Sequence, residues 1–333
     1  MSAPRPMPLP VRALLALLLL VLNPSPPRAQ EMPAEAPAVC RIGVNIEDLY
    51  DLDPARDTFG AVLWIWSLCP TADLAPLATI AFPTASTGLS LSPIETVDIA
   101  GGGQYASRRA QGVFRYNWDM RRYPFDEQRV VIPMDETQYS AARLLFEPDR
   151  SQSFVTPDVR ERLREFKTSD LTLDASISDE RSTYGLPGVD GARYARLEAE
   201  ITLRRAHLAT FLKLTSGVFA GVFIAFLSFF YDPTDRSGFG GKLGLLVAVL
   251  FAVLLNLRAS DATIGDAGQL TLVTNIHLVT LALIVVLASV ALRDRRRAER
   301  DLPVRHPDWP MLIGVGGLYV LIIGAMVLRA ALF

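Results

Sequence analysis

Apolar residues are distributed in two ways along this chain. Before about Ala206 they come in short runs broken by turn residues, and after it they fill four long segments. Leu214 to Tyr231, Leu270 to Leu292 and Pro310 to Leu328 contain no Asp, Glu, Lys or Arg. Each reaches the roughly 18 to 20 residues that a helix rising about 1.5 Å per residue needs to cross ~30 Å of hydrocarbon. Leu243 to Leu257 is as apolar but only about 15 residues long, a length that also suits a buried soluble helix. Its place between two spans predicts that it crosses, shielded by the others. Polar faces at the 3.6-residue period, which a large soluble core would show, are missing. The pattern predicts transmembrane helices over about 208–231, 240–258, 269–292 and 309–331.

The N-terminal half reads as β-structure. Its runs are Arg41 to Leu49, Thr58 to Leu68, Gly112 to Trp118, Glu127 to Met134, Ala142 to Phe146, Leu171 to Ser176 and Ala192 to Leu203, each bounded by turn residues. Only Pro157 to Phe166 and Thr71 to Leu77 have helical character. That spacing predicts an antiparallel sandwich. The stretch from Val39 to Ala206, about 170 residues, is long enough for one domain with its own core. The expected fold is an α+β membrane protein: an extracellular or periplasmic β-sandwich over 30–206, then a four-helix transmembrane bundle over 207–333.

Charge orients the bundle. The segment 293–309 holds Arg293, Arg295, Arg296, Arg297, Arg300 and Arg305, an excess over its acids that marks a cytoplasmic linker. The β-domain is then on the other side. Independently, Arg5 and Arg12 precede the apolar run Ala13 to Leu22, which is followed by a Pro-rich stretch and the small residue Ala29. This has the form of a secretory signal peptide over 1–29.

Formal net charge is −2, so no nucleic-acid partner is implied. Cys40 and Cys69 lie almost equally far on either side of the Asp51 to Asp57 turn and would face each other across a hairpin. In an exported domain such a pair either oxidises or stays as two buried thiols. No metal site is expected, because His207, His277 and His306 fall in separate regions. The exported half has no nucleophile elbow, HExxH, P-loop or dinucleotide fingerprint, so neither an enzyme nor a cofactor is expected. Gly217 with Gly221, and Gly314, Gly316 and Gly317, lie inside spans, where close helix packing accounts for them.

Arg122-Tyr123-Pro124-Phe125-Asp126-Glu127-Gln128, with Gly112-Val113-Phe114 and Trp118-Asp119-Met120 before it, resembles the strand-connecting loop of the pentameric ligand-gated ion channel (Cys-loop or Pro-loop receptor) family. The hairpin Tyr50 to Phe59 is similar to that family's first strand turn. Leu203-Arg204-Arg205 ends the last strand where the family keeps an arginine. Four spans with a short linker match the family's bacterial members. The resemblance covers nearly the whole mature chain.

This resemblance implies a homopentamer in a bacterial inner membrane, multi-pass with a periplasmic N-terminal domain. Its partners would be membrane lipids, sister subunits and a small-molecule or ion ligand bound between sandwiches. Asp53, Asp57, Tyr123, Pro124, Phe125, Asp126, Arg204 and Arg205 would couple that site to the helices, with Asp53, Asp126 and one arginine in an ion network. Tyr139, Tyr184 and Tyr194 would contact the ligand. The second span would line a pore.

The chain also departs from the family. The first span lacks its usual proline, and so does the segment after the second. The second span contains no Ser or Thr, although ions need polar oxygens or charge to offset lost water. One register turns Leu243, Val247, Leu250 and Leu254 inward, and the other Gly244, Ala248, Phe251 and Leu255. Lys242 and Arg258 would stand at the two mouths and favour anions. Two functions therefore compete: an anion-preferring or poorly conducting ligand-gated channel, and a non-conducting receptor or assembly protein of the same architecture. Asn256, Asn275 and His277 all fall in the outer half of the membrane region, where polar side chains should bond one another or face water.

Overall fold

A computed structural model describes residues 36–180, 192–205, 208–232, 234–264, 268–305 and 307–332. The expected signal peptide, Tyr184, His207 and His306 lie outside these residues. The first part is built from β1 (Ala38–Asp53), β2 (Thr58–Cys69), α1 (Pro76–Thr79), β3 (Ala85–Leu91), β4 (Glu95–Asp98), β5 (Gln104–Arg115) and β6 (Glu127–Ser140). It continues with β7 (Leu144–Pro148), β8 (Phe154–Val155), α2 (Pro157–Arg162), β9 (Phe166–Thr168), β10 (Thr172–Glu180) and β11 (Ala192–Arg205).

These strands form two sheets. One runs β3-β5-β2-β1-β7 with β4 beside β5 and β8 beside β1, and the other runs β10-β11-β6 with β9 beside β11. Alternation along β11 buries Ala195, Leu197, Ala199, Ile201 and Leu203 and leaves Arg196, Glu198, Glu200 and Thr202 on the outer face. The inner faces meet in one core, where Ile42, Val44 and Ile46 of β1 and Phe59, Leu63 and Ile65 of β2 join Val130, Ile132 and Met134 of β6. Burying each such side chain contributes roughly 1.5 to 3 kcal/mol. Cys40 and Cys69 stand opposite each other on β1 and β2 and are disulfide-bonded, with Cα atoms 4.4 Å apart.

Sequence pattern misses β3, β4, β8 and β9 for a physical reason. The side chains of β3 and β4 are mostly exposed, so no apolar alternation marks them and backbone pairing to β5 alone makes them strands. The helix expected over Thr71 to Leu77 forms instead at Pro76–Thr79, where a proline opens the first turn.

Four helices follow: α3 (Leu208–Leu227, continued by a 3₁₀ turn Ser228–Phe230), α4 (Arg236–Ile264), α5 (Leu272–Ala298) and α6 (Trp309–Leu332). All four are long and apolar enough to cross a membrane, which marks a multi-pass membrane protein. Two run past their expected ends. α4 starts at Arg236 rather than about 240, and α5 continues to Ala298, taking in the first part of the expected linker 293–309. Charge does not stop a helix, whose backbone is already satisfied, and Arg295 paired with Glu299 at 2.9 Å supports the last turn of α5.

Buried positions on α3 are Phe211, Thr215, Val218, Gly221, Val222 and Ala225, a stripe at helical spacing. Gly217 and Gly221 set the approach of α3 to α4: a Cβ on Gly221 would lie 3.2 Å from Val249, and one on Gly217 would lie 2.5 Å from Asn256. In α6 the packing expectation fails for two glycines. Gly314 and Gly317 face open space, and only Gly316 meets a neighbour, Phe226.

Candidate functional site at the sheet–helix junction

β6 and β11 pair antiparallel with Glu127 opposite Arg204. Since neighbours on a strand point to opposite faces, Arg204 and Arg205 separate. Arg204 goes outward to Glu127 at 2.6 Å, with 64 % of its side chain exposed. Arg205 turns inward to Asp126 at 3.1 Å, where the two side chains are only 10 % and 1 % exposed. Its guanidinium also reaches Glu165 at 3.3 Å and lies over the rings of Tyr123 and Phe166, at 4.8 and 4.4 Å. Two carboxylates and two aromatic faces thus enclose one guanidinium. Burial pushes the Tyr123 hydroxyl above the usual tyrosine range, more than the Arg205 charge draws it down.

The expected network is corrected at one member. Asp53 does not take part; its carboxylate accepts from Ala55 N and Arg56 N at 3.0 and 3.1 Å and pairs with Arg56 at 3.5 Å. A short carboxylate beside its own turn satisfies those amides first. Glu165 takes the place expected for Asp53. Asp57 is exposed, with φ of 52° in the same turn.

The loop from Trp118 to Asp126 holds both halves of the chain. Its Tyr123-Pro124 bond is cis. Gln128, with no exposed surface, donates to Asp126 and to Asp119 O at 2.9 and 2.8 Å and accepts from Asp119 N and the Tyr116 hydroxyl. From the connection between α4 and α5, Gln269 accepts from Met120 N at 3.1 Å and donates to Trp118 O at 2.8 Å. Phe125 meets Phe211 of α3 in a tilted ring contact with centres 5.5 Å apart, and Val273 of α5 belongs to the β-region's core. Gln128 stands inside the quoted motif, but nothing in the sequence signals the role of Gln269, 151 residues from its partner.

The expected ligand residues are only partly gathered. Tyr194 lies opposite Ser140 in the β11–β6 ladder, so strand alternation turns it to the other face from Tyr139, which packs against the core. The Tyr139 ring already carries the Arg143 guanidinium at 4.9 Å, and its hydroxyl donates to Asp73 O at 3.3 Å.

On α4 the face packed against α3 and α5 is Lys242, Leu246, Val249 and Val253, at i, i+4, i+7 and i+11. Lys242 therefore departs from its expected place at a pore mouth. It is 1 % exposed, with Nζ 4.3 Å from the Phe229 ring centre. The early start of α4 puts it about 1.7 turns inside the helix, and the neighbouring helices cover the side it faces. Leu243 and Leu250 are half-buried beside that stripe. The free face carries Gly244, Val247, Ala248, Phe251, Leu254, Leu255 and Arg258, with Phe251 and Leu255 the most open of its large side chains at 59 % and 70 %.

His277, fully buried on α5, places Nδ1 2.7 Å from Val273 O and Nε2 3.1 Å from the Asn256 amide on α4. Both ring nitrogens face acceptors, Val273 O and Asn256 Oδ1, and the tautomer sets which of them donates. Asn275 is not with this pair; it lines a separate cleft with Arg121, Arg122 and Arg329. Thr280 and Tyr319 join α5 to α6 through their hydroxyls at 2.9 Å, a bond that escapes the sequence reading. No protein-family model and no curated protein matches this chain.

Proposed function

We propose that the chain is a subunit of a homopentameric ligand-gated ion channel in a bacterial inner membrane, with a periplasmic β-sandwich and a four-helix transmembrane bundle. The observation that carries this is the loop from Trp118 to Asp126. It is tied to the last strand by Arg205 and Asp126, to α3 by Phe125 on Phe211, and to the α4–α5 connection by Gln269. A displacement of the sheets would therefore reach α3 through the buried ion pair and the Phe125–Phe211 contact, and the α4–α5 connection through the Gln269 hydrogen bonds, as a coupling element requires. A ligand held between sandwiches near Tyr139 and Tyr194 would bias that element by binding its two states unequally.

The free face of α4 supports the pore assignment. It turns away from its own bundle and would close a ring with four copies of itself. Gly244, Val247, Phe251, Leu255 and Arg258 follow one another on that face at helical spacing. Arg258 at one end favours anions, while the apolar stretch below it would dewet when narrow.

That apolar lining favours the second reading, a non-conducting receptor of the same architecture. Liposome flux with the purified protein, scanning pH and small amines for chloride and sodium, separates the two. Chloride flux that Arg258→Glu abolishes or reverses in selectivity supports the channel. A pentamer that binds ligand with no flux of either ion supports the receptor.

A further inference from the structure

Between the β-region and the start of α3 lies a cavity of about 660 Å³ that the junction leaves unfilled. The β1–β2 hairpin, the Trp118–Asp126 loop and the α2–β9 connection enclose it, and Thr210, Lys213 and Leu214 of α3 close its other side. A space of this size suits a small organic molecule. Its depth is apolar: Trp118, Met120, Tyr123 and Phe166 line it and are at most 9 % exposed, and Leu163 and Leu214 are half-buried beside them.

Four cations and two acids share the described lining: Arg162, Arg164, Arg205 and Lys213 against Asp51 and Glu165. Arg162 is held outside the cavity by Asp48 at 3.0 Å. Arg205 gives Nε to Asp126 at 3.1 Å and Nη1 to Glu165 at 3.3 Å, and its Nη2 meets no acceptor among the described residues. Lys213 has no acid within ion-pair distance among them either. Of the two carboxylates on Arg205, Glu165 is the loose one, with 76 % of its side chain exposed against 1 % for Asp126. So exposed a pair contributes little, and another carboxylate can replace it. Asp51, the remaining acid on the lining, is exposed and penalises a second negative charge on the occupant.

We propose that this cavity binds a small monocarboxylate with a hydrocarbon body, its carboxylate oxygens on Lys213 Nζ and Arg205 Nη2 and its body against Met120, Leu163 and Leu214. An inorganic anion would leave the apolar depth unused, and a neutral amphiphile would leave both donors unused. The bound molecule takes over the hold of Glu165 on Arg205 and joins the α2–β9 connection to α3. Every group it meets belongs to one chain, so the site stands or falls separately from the pentamer and the pore.

The test is calorimetric titration of the full chain in phosphatidylcholine nanodiscs with phenylbutyrate, and with phenylbutanol as its uncharged counterpart, empty nanodiscs serving as the blank. Wild type should hold the carboxylate about tenfold more tightly than the alcohol. Lys213→Gln, at an exposed position, should weaken the carboxylate by about tenfold and leave the alcohol unchanged. Glu165→Gln should strengthen the carboxylate by about threefold, because it removes the competitor for Arg205. Lys167→Gln, outside the cavity, should change neither, and Leu163→Trp should fill the cavity and remove binding. The proposal is overturned if wild type does not bind phenylbutyrate, if it binds both probes equally, or if Lys213→Gln changes binding no more than Lys167→Gln does. Undiminished binding by Leu163→Trp would place the probe elsewhere and equally overturn it.

Discussion

Arg205 meets Asp126 at 3.1 Å where the carboxylate is 1 % exposed, and the loop carrying that carboxylate is the one that touches α3 and the α4–α5 connection. The last strand ends in this pair, so the step from sheet to helix passes through it.

Removing the cation should therefore cost far more than removing an exposed one. Arg205→Ala leaves Asp126 buried without its cation and should destabilise the protein by about 3 to 5 kcal/mol. Arg56→Ala removes an exposed pair and should cost less than about 1 kcal/mol. Thermal unfolding of both variants in one detergent checks this. Equal small shifts would show that the pair is not a structural tie.

Alkaline pH should loosen the same site. Burial raises the folded-state value of Tyr123 above its unfolded value near 10. A raised value means the neutral phenol is favoured in the fold, so this stabilisation is fully present below about pH 10 and disappears as pH rises through the folded value. Tyr123→Phe keeps the ring under Arg205 and removes the titration. The melting midpoint of the variant should fall less than that of wild type between about pH 9 and pH 11, measured by differential scanning fluorimetry.

Gly217 should tolerate no larger residue. A Cβ there would fall 2.5 Å from the Asn256 amide nitrogen, forcing either α3 away from α4 or Asn256 away from His277. Gly217→Ala should cost about 1 to 3 kcal/mol, and Asn256→Leu with His277 intact should cost a similar amount by stranding a buried imidazole. If both variants melt with wild type, the Asn256–His277 contact does not clamp the helices.

The exposed face of α4 makes the proposed assembly testable. A helix that leaves Phe251 and Leu255 open beside Gly244 and Arg258 is unsuited to lipid at its charged end and incompletely covered elsewhere. Native mass spectrometry in mild detergent should find a pentamer. Phe251→Arg, placed on that face, should weaken it without unfolding the β-region, whose disulfide and core lie apart from α4. A protein that stays monomeric or dimeric across mild detergents would remove the basis for the pore.

The period of the apolar pattern determined the order of parts without help from the structure. Runs with turn punctuation gave β1, β2, β6, β10 and β11, and four uncharged segments gave the four helices, because hydrocarbon thickness and strand pleat act on local sequence; β5 runs Gln104–Arg115 instead of the expected Gly112 to Trp118. The Cys40–Cys69 placement and the Asn256–His277 contact were legible for the same reason, one from hairpin symmetry and the other from depth along neighbouring spans. Strand alternation could also have told Arg204 from Arg205, since Leu203 points into the core and its successors must alternate. Tertiary structure alone decided which acid each arginine takes. Asp53 turned to its own backbone amides while Glu165 arrived from a loop 40 residues from Arg205. It decided that Lys242 lies on the packed face of α4, because a helix's facing depends on where its neighbours sit and not on its own hydropathy. It also brought Gln269 to Trp118, a contact between segments far apart in the chain, which no local pattern encodes.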